Sequence, residues 1–330
     1  MENAGPIIRW RTATELLGEP RTLNNTRLDD VLEHSEVQKW LGLLGTGPLH
    51  HSKDSAFENC MGKLVELGLF AGVPALDEKM EKYFPAVVRN PRHWDAWFVT
   101  SFCARAGYLK KEAIADCISY LASTAHKAAS RGDYDDVMTK KELEELPPSQ
   151  RDKSFFKTEY DPGDGEYRLP GCYDLYTFAH CGATGALKEQ MEEIVKYLVD
   201  ERLQKQPAGY IWRPKQRKVF ACSFARLPEY PGYESRQTTQ TLLLYVEMLS
   251  HFQAGISSDW YKGAIDYLEE FITDQGTYIF PDIHLVERKN SYYLYQGSHM
   301  GLGENRRKKG WQELESTFRM MKIKKLMTEN

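Results

Sequence analysis

Apolar residues recur along most of this 330-residue chain at the spacing of amphipathic helices. Four times an apolar segment reaches a glycine, and 11 to 13 residues later a tyrosine stands beside a leucine or phenylalanine. The four glycines are Gly72, Gly107, Gly185 and Gly255. A helix fits between each glycine and its tyrosine, and each glycine is suited to end the preceding helix in a left-handed cap. Each copy is therefore predicted to be a helical hairpin.

The spacing of the copies indicates how the hairpins are arranged. Successive glycines are 35, 78 and 70 residues apart, so the later steps are close to double the first. Periods of this size are typical of stacked hairpins in an open solenoid or a closed ring. The irregular spacing, without obvious polar end caps, favours the ring. The predicted fold is all-α, an α/α toroid of residues 57–330, with residues 1–56 as an N-terminal helical segment packed on it.

Two segments depart from the helical pattern because they are enriched in β-branched and aromatic residues. Residues 209–212 with 219–222, and residues 277–280 with 291–295, are each predicted to form a small β-hairpin. Both follow an outer helix and precede an inner one. In a ring, connections of that kind lie at one end, so both inserts are expected to shape the rim of a central cavity.

A charge-rich excursion spans residues 128–168 and includes Pro147 and Pro148. Thr139 is suited to cap a short helix within it. Loops this long inside compact domains are either functional lids or segments without fixed structure, and both interpretations stay open here.

Composition narrows the class of protein. The hydrophobic fraction is 42% and the net charge is -4, which gives no electrostatic reason to bind nucleic acid or an anionic membrane. No stretch approaches the roughly 18 apolar residues of a membrane helix, and the N-terminus has no apolar signal region. The six cysteines contain no CxxC pair, so reduced core thiols are expected and no metal site is predicted. We expect a soluble cytoplasmic protein that binds a small molecule, with no cofactor indicated.

The candidate site is predicted where inner helices begin. Trp94, Asp95 and Trp97 open one inner helix, and Tyr173 and Asp174 open the next. A carboxylate in the first turn is favoured by the helix dipole, so a capped helix with an aromatic core is the simpler interpretation of each cluster. Because the same pattern occurs twice, we expect this end of the ring to hold the site.

Further candidates come from the segments that are expected to meet this end. The predicted catalytic residues are Asp95, Asp174 and His299, and the predicted ligand-binding residues are Trp94, Trp97, Tyr173, His180, Trp212, Arg226 and Tyr295. Tyr173 and His180 share a helix face, and His299 lies in a glycine-punctuated, aromatic stretch suited to a binding loop.

The alternating hairpins resemble the α/α-toroid superfamily of terpenoid cyclases and protein prenyltransferases. One motif matches: Asp133-Tyr134-Asp135-Asp136 is similar to the DxDD of class II cyclases, which implies Asp135 as the acid that protonates an alkene. Such an acid must be poorly solvated, whereas this stretch is polar. The chain also lacks the repeated signature of these cyclases. We therefore expect an acidic loop before Thr139, and an Asp135→Asn variant that keeps its function.

Three functions are compatible with this sequence. An isoprenoid-like ligand in an aromatic-walled cavity, bound or transformed, is the first. A carbohydrate-active α/α barrel is the second, with aromatic rings stacking on sugars and two carboxylates acting as acid and base. A noncatalytic helical-repeat scaffold is the third. A dry cavity with one buried acid would favour the first, an open groove with two carboxylates the second, and a filled centre the third.

Overall fold

The computed structural model describes residues 3–23, 25–90, 92–161, 165–207, 209–222, 224–287 and 293–329. Over these ranges the chain is mostly helical with one two-stranded sheet, which confirms the all-α prediction. The helices of the N-terminal part are α1 (Pro6–Arg11), α2 (Thr26–Leu32), α3 (Ser35–Leu43), α4 (Phe57–Glu66), α5 (Pro74–Met80), α6 (Phe84–Arg89), α7 (Trp94–Ala106) and α8 (Glu112–Ala129). Those of the C-terminal part are α9 (Lys140–Glu144), α10 (Cys172–His180), α11 (Gly185–Val199), α12 (Glu201–Gln204), α13 (Leu242–Leu249), α14 (Gln253–Ile256), α15 (Asp259–Glu269) and α16 (Trp311–Glu329). The strands are β1 (Gly209–Arg213) and β2 (Lys218–Cys222).

Four helices form an inner row. α4 packs on α7, α7 on α10 and α10 on α13, and α13 then packs on α16. Every residue of α4 and of α13 is buried, as expected of helices enclosed on all sides. Outside this row, α8 packs on α7 and α11, and α11 packs on α14. These outer helices bury one face and carry charged residues on the other, as the sequence pattern predicts.

The glycine caps are only partly as predicted. α7 begins at the N-cap His93, and it ends at Gly107 with φ of 93°, in the predicted left-handed cap. Elsewhere the prediction is wrong: Gly185 opens α11 instead of closing α10, and Gly255 lies inside α14. After α10 the chain takes positive φ at Gly182 and again at Gly185.

The first β-hairpin is confirmed, since β1 pairs antiparallel with β2 in the register Gly209 to Cys222. The second is wrong over the residues that the structure describes. Tyr278 pairs back to Ile272 in an isolated bridge, and Leu294–Gln296 is a 3-10 helix. A tight turn at Gly276, with φ of 75°, brings the chain back on itself before a longer hairpin can form. The predicted positions 291 and 292 lie outside the described residues.

The excursion at residues 128–168 has fixed structure on either side of residues 162–164, which lie outside the described ranges. Thr139 caps α9 in a capping box with Glu142, as predicted. Asp136 is fully buried and accepts hydrogen bonds from the hydroxyls of Tyr160 and Tyr197. Val137 pairs with Phe156 in a β-bridge. These contacts fasten the excursion to α11.

Two findings bear on the environment of the chain. None of the helices in the described ranges has the length and apolar character needed to cross a membrane. Five of the cysteines are free thiols, and four of them are buried. The side chain of Cys222 lies outside the part of the chain that the structure describes.

A buried network of charges joins the N-terminal segment, the inner row and α16. We call it the central ion cluster, and its members are Arg11, Glu15, Glu66, Arg105, Glu247, Arg319 and Lys322. Arg319 of α16 lies 2.9 Å from Glu66 of α4 and 3.0 Å from Glu247 of α13. Burial alone would raise the pKa of Glu66, but the facing guanidinium groups of Arg319 and Arg11 hold it well below its ordinary value.

We expect Arg319→Met to lower the free energy of unfolding by about 3–5 kcal/mol, because it leaves two buried carboxylates short of a partner. Lys324→Met is the matched control on the same helix: Lys324 is half-exposed and pairs with Glu269, so its loss should cost less than about 1 kcal/mol. Urea unfolding followed by circular dichroism measures both. Equal losses for the two variants would show that the cluster contributes little to stability.

Candidate functional site

A cavity of about 490 Å³ lies where the inner helices begin, and we call it the aromatic cavity. Its aromatic lining residues are Trp97, Phe98, Tyr160, Tyr173, Phe224, Tyr245 and Tyr295, and its polar lining residues include His50, Arg168, Asp174, Arg226 and Gln237. Two clefts of about 500 and 710 Å³ are lined instead by outer helices, namely α6 with α8, and α11 with α14 and α15. Unlike these two clefts, the aromatic cavity is lined by the first turns of the inner helices α7, α10 and α13.

The wall of the cavity is a chain of rings in contact. Phe98 meets Tyr173 edge to face, with ring centroids 4.4 Å apart, and the imidazole of His50 stacks on Phe98 at 4.9 Å. The guanidinium of Arg168 lies 3.7 Å from the ring centroid of Trp97. Such faces bury apolar ligand surface and attract positive charge.

Glu58 organises the polar part of the wall. It is fully buried near the start of α4, and it accepts hydrogen bonds from the Tyr173 hydroxyl and, at 2.9 Å, from the backbone N–H of Leu294. Its second oxygen contacts Nδ1 of His50. Burial and the negative charge of Glu58 together raise the pKa of Tyr173, so that its hydroxyl stays protonated and donates.

The pair of His50 and Glu58 has the geometry of an oriented acid–base group. The imidazole is about one-third exposed, and its Nδ1 is held by a carboxylate that is fully buried. A histidine oriented in this way presents its other nitrogen to a ligand and can accept or give a proton there.

Asp174 is held by local hydrogen bonds. It accepts from the backbone N–H of Gly171 at 2.8 Å and from Nε of Arg168 at 2.9 and 3.0 Å. The carboxylate thus caps α10 and positions the Arg168 guanidinium over Trp97. These contacts neutralise its charge, so its role at the cavity is to orient Arg168.

Arg226 is the cation with unused hydrogen-bonding capacity. Its Nη groups donate to the backbone carbonyls of Gln204 and Gln206, while its buried Nε has no hydrogen-bond partner among the described residues. Burial, reinforced by the nearby charge of Arg236, lowers the pKa of Arg226. An anionic group of a ligand would accept a hydrogen bond from Nε and would also stabilise the positive charge that burial disfavours.

The structure brings together five of the ten site residues predicted from the sequence. Trp97, Tyr173, Asp174, Arg226 and Tyr295 all line the aromatic cavity.

Three more lie outside the lining. Trp94 is 45% exposed on the first turn of α7 and contacts Phe98 with its ring. Asp95 pairs with His93 at 3.3 Å, and Trp212 lies on β1 opposite Val219.

The remaining two, His180 and His299, are displaced from the predicted end of the ring. His180 ends α10, a full helix length from the cavity-lining first turn, and its ring meets that of His251. His299 is fully buried near the central ion cluster, and neither ring nitrogen has a hydrogen-bond partner in the described structure. Burial lowers its pKa to about 4. A neutral histidine in this position packs against α4 instead of facing the cavity.

The acidic motif is divided between two environments. The Asp135 side chain is 66% exposed and pairs with Lys157 at 2.6 Å, whereas Asp136 is the buried partner of two tyrosines. Asp135 therefore has the solvated surroundings that were expected from its polar context.

Sequence reasoning missed His50, Glu58 and Arg168. The available signal was Glu58 itself, an acidic residue in the first turn of a predicted inner helix, like Asp95 and Asp174 in theirs. His50 belongs to a loop and Arg168 to the end of the excursion, so no periodic pattern marks them.

No group of three metal-ligating side chains comes together within the described ranges. Comparison with protein-family models, with curated proteins and with solved structures gave no significant match. The interpretation of the aromatic cavity therefore rests on its own geometry.

The buried histidines predict a loss of stability in mild acid. The pKa of His299 is about 4 in the folded chain against an ordinary 6.5, so its stabilising contribution is complete above pH 6.5 and is lost as the pH falls toward 4. The unfolding free energy should fall between pH 6.5 and 5. In His299→Gln that slope should be shallower by about 1 kcal/mol per pH unit. Urea unfolding at stepped pH gives the slopes.

The control variant is His51→Gln, at an exposed histidine in the loop before α4. Its slope should match that of the unsubstituted chain. A His299→Gln slope equal to both would mean that His299 titrates alike in the folded and unfolded states.

Proposed function

We propose that this chain is an α/α toroid whose aromatic cavity binds an isoprenoid-like small molecule that carries an anionic headgroup. The observation that carries the proposal is the combination, in one cavity of about 490 Å³, of a largely aromatic lining with a partly buried arginine, Arg226, whose Nε has no hydrogen-bond partner among the described residues. The volume lies within the range of about 300–1,000 Å³ found for small-molecule sites. We place the protein in the cytoplasm, where free thiols such as the five described here are maintained.

The toroid architecture is the part of the proposal that explains where the cavity lies. The inner row runs from α4 through α7 and α10 to α13, and α16 joins α13 back to α4 through Arg319. Such a ring encloses a central space with two ends. The central ion cluster lies toward one end, and the aromatic cavity lies at the other, where the inner helices begin.

The ligand is inferred from what the wall offers. Phe98, Trp97 and Tyr173 present faces and edges that bury hydrocarbon and stabilise positive charge. Arg226 offers a charge-assisted hydrogen bond to a phosphate or carboxylate. The His50 and Glu58 pair supplies a proton donor or acceptor beside the apolar wall, so that a bound molecule can also be transformed.

A carbohydrate-active enzyme is the second candidate, and the His50 and Glu58 pair is the observation that favours it. An oriented acid–base group beside stacked rings suits proton transfer on a sugar. Against it, the usual mechanism needs two independent carboxylates, and Asp174 is already neutralised by Arg168.

Binding of farnesyl diphosphate, measured by isothermal titration calorimetry without added metal, tests the first proposal. We expect saturable binding that Arg226→Gln weakens about 10- to 100-fold, because one charge-assisted hydrogen bond is worth about 1.5–3 kcal/mol. Farnesol should bind the unsubstituted chain more weakly and should lose little in the variant. Arg217→Gln, at an exposed arginine in the hairpin turn, and Asp135→Asn should leave binding unchanged.

Two results would contradict the proposal. Binding of a neutral oligosaccharide in place of both prenyl probes, abolished by Glu58→Gln, would favour the carbohydrate-active enzyme. Binding of neither class would leave the scaffold as the interpretation of the fold.

A further inference from the structure

A second cleft, of about 410 Å³, lies at the opposite end of the inner row. Arg105 comes from the last turn of α7, and His251 follows the end of α13. Its charged lining residues are Glu15, Arg21, Arg105, Lys322, Lys325 and Glu329. Since it shares no lining residue with the aromatic cavity, it is a separate site.

Positively charged groups outnumber negatively charged ones around this cleft. Within the central ion cluster four cations face three carboxylates, and Arg21 adds a further cation 3.6 Å from Glu15. Burial and the charge of Arg105 lower the pKa of Lys322, and burial lowers that of Arg21. Surplus positive charge in a partly buried cleft is costly unless an anion compensates it.

Arg105 is the cation of the central ion cluster whose ion pairs with Glu15 and Glu66 are long. Its side chain is 91% buried, and Nε and Nη2 make no hydrogen bond of ordinary geometry to the described residues. These two nitrogens form one edge of the guanidinium, which matches two oxygens of a single carboxylate or phosphate. The closest carboxylate oxygens, on Glu66 and Glu15, are 3.7 and 3.8 Å from Nη2, beyond hydrogen-bond distance.

The neighbouring carboxylates do not fill this position because other cations hold them. Glu15 pairs with Arg11 at 2.7 Å and with Lys322 at 2.9 Å. Glu66 pairs with Arg11 and Arg319, both at 2.9 Å. His251, also in the lining, has an Nε2 without a hydrogen-bond partner in the described structure. Two side chains of the same cleft, Arg105 and His251, thus have polar atoms without a hydrogen-bond partner among the described residues.

We propose that this cleft binds a small oxyanion, a phosphate or a carboxylate, on the Nε and Nη2 edge of Arg105. Lys325 and Arg21 add long-range attraction at the mouth of the cleft, and His251 offers a further hydrogen bond. The inference does not depend on the function proposed for the aromatic cavity. It assigns a second ligand site at the other end of the inner row.

The test uses inorganic phosphate on the full chain at constant ionic strength, set with chloride. We expect phosphate to raise the melting temperature, as a ligand of the folded state does, and its ³¹P resonance to broaden on addition of the protein. Arg105→Lys keeps the charge but removes the guanidinium edge, and it should weaken phosphate binding at least tenfold. Lys324→Met, at an exposed cation on α16, should bind phosphate as the unsubstituted chain does.

A parallel titration with citrate distinguishes the two sources of oxyanion. Stabilisation by citrate alone, lost in Arg105→Lys, assigns the cleft to carboxylates, and stabilisation by phosphate alone assigns it to phosphates. If Arg105→Lys fails to fold, His251→Gln replaces it, with weaker binding again expected. Absence of stabilisation by either anion, or binding that survives loss of the Arg105 edge and of His251, overturns the proposal.

Discussion

The arrangement of this protein depends on the ion pairs that Arg319 makes with Glu66 and Glu247. They connect the first and last members of the inner row through α16, so the ends of the row are joined by charge as well as by apolar packing. Burying charges is expensive, and in the central ion cluster each carboxylate is held by at least two cations. That requirement fixes the register of α16 against α4 and α13 more tightly than apolar contacts alone would, because an ion pair tolerates less displacement than a methyl contact does.

The same interaction explains why the two ends of the inner row differ. At one end the space between the helices is occupied by guanidinium, ammonium and carboxylate groups. At the other it is lined with rings, and its buried carboxylates are already engaged. Glu58 is held by Tyr173, His50 and the backbone of Leu294, and Asp174 by Arg168 and the backbone of Gly171. A polar, charged interior and an apolar, ring-lined one thus coexist along one set of helices.

The sequence predicted the features that depend on local pattern. The periodicity around Trp97 and Tyr173 identified inner helices, and their first turns do line the aromatic cavity. The left-handed cap at Gly107 was also predictable, because capping depends on a few adjacent residues. Asp174 lies at the cavity, as predicted. Its pairing with Arg168 could not be predicted, because it depends on how the excursion at residues 128–168 folds.

Features that depend on distant contacts were not predictable in this way. The pairing of His50 with Glu58 arises from how a loop folds over the start of α4, and the displaced position of His299 from how the C-terminal segment enters the interior. The predicted second hairpin does not form because a turn at Gly276 lets Tyr278 pair with the nearby Ile272. A histidine among glycines, such as His299, indicates a flexible backbone, but it does not indicate how deeply the side chain is buried.

The position of α16 along the chain has a consequence for how the molecule is made. Its Arg319 is synthesised 253 residues after Glu66 and 72 residues after Glu247, and its Lys322 follows Glu247 by 75 residues. Until they emerge from the ribosome, the two glutamates have no cationic partners from α16 and remain hydrated. The helices of the inner row therefore cannot reach their final packing one by one during translation. The row closes in a single late step, after α16 has been synthesised.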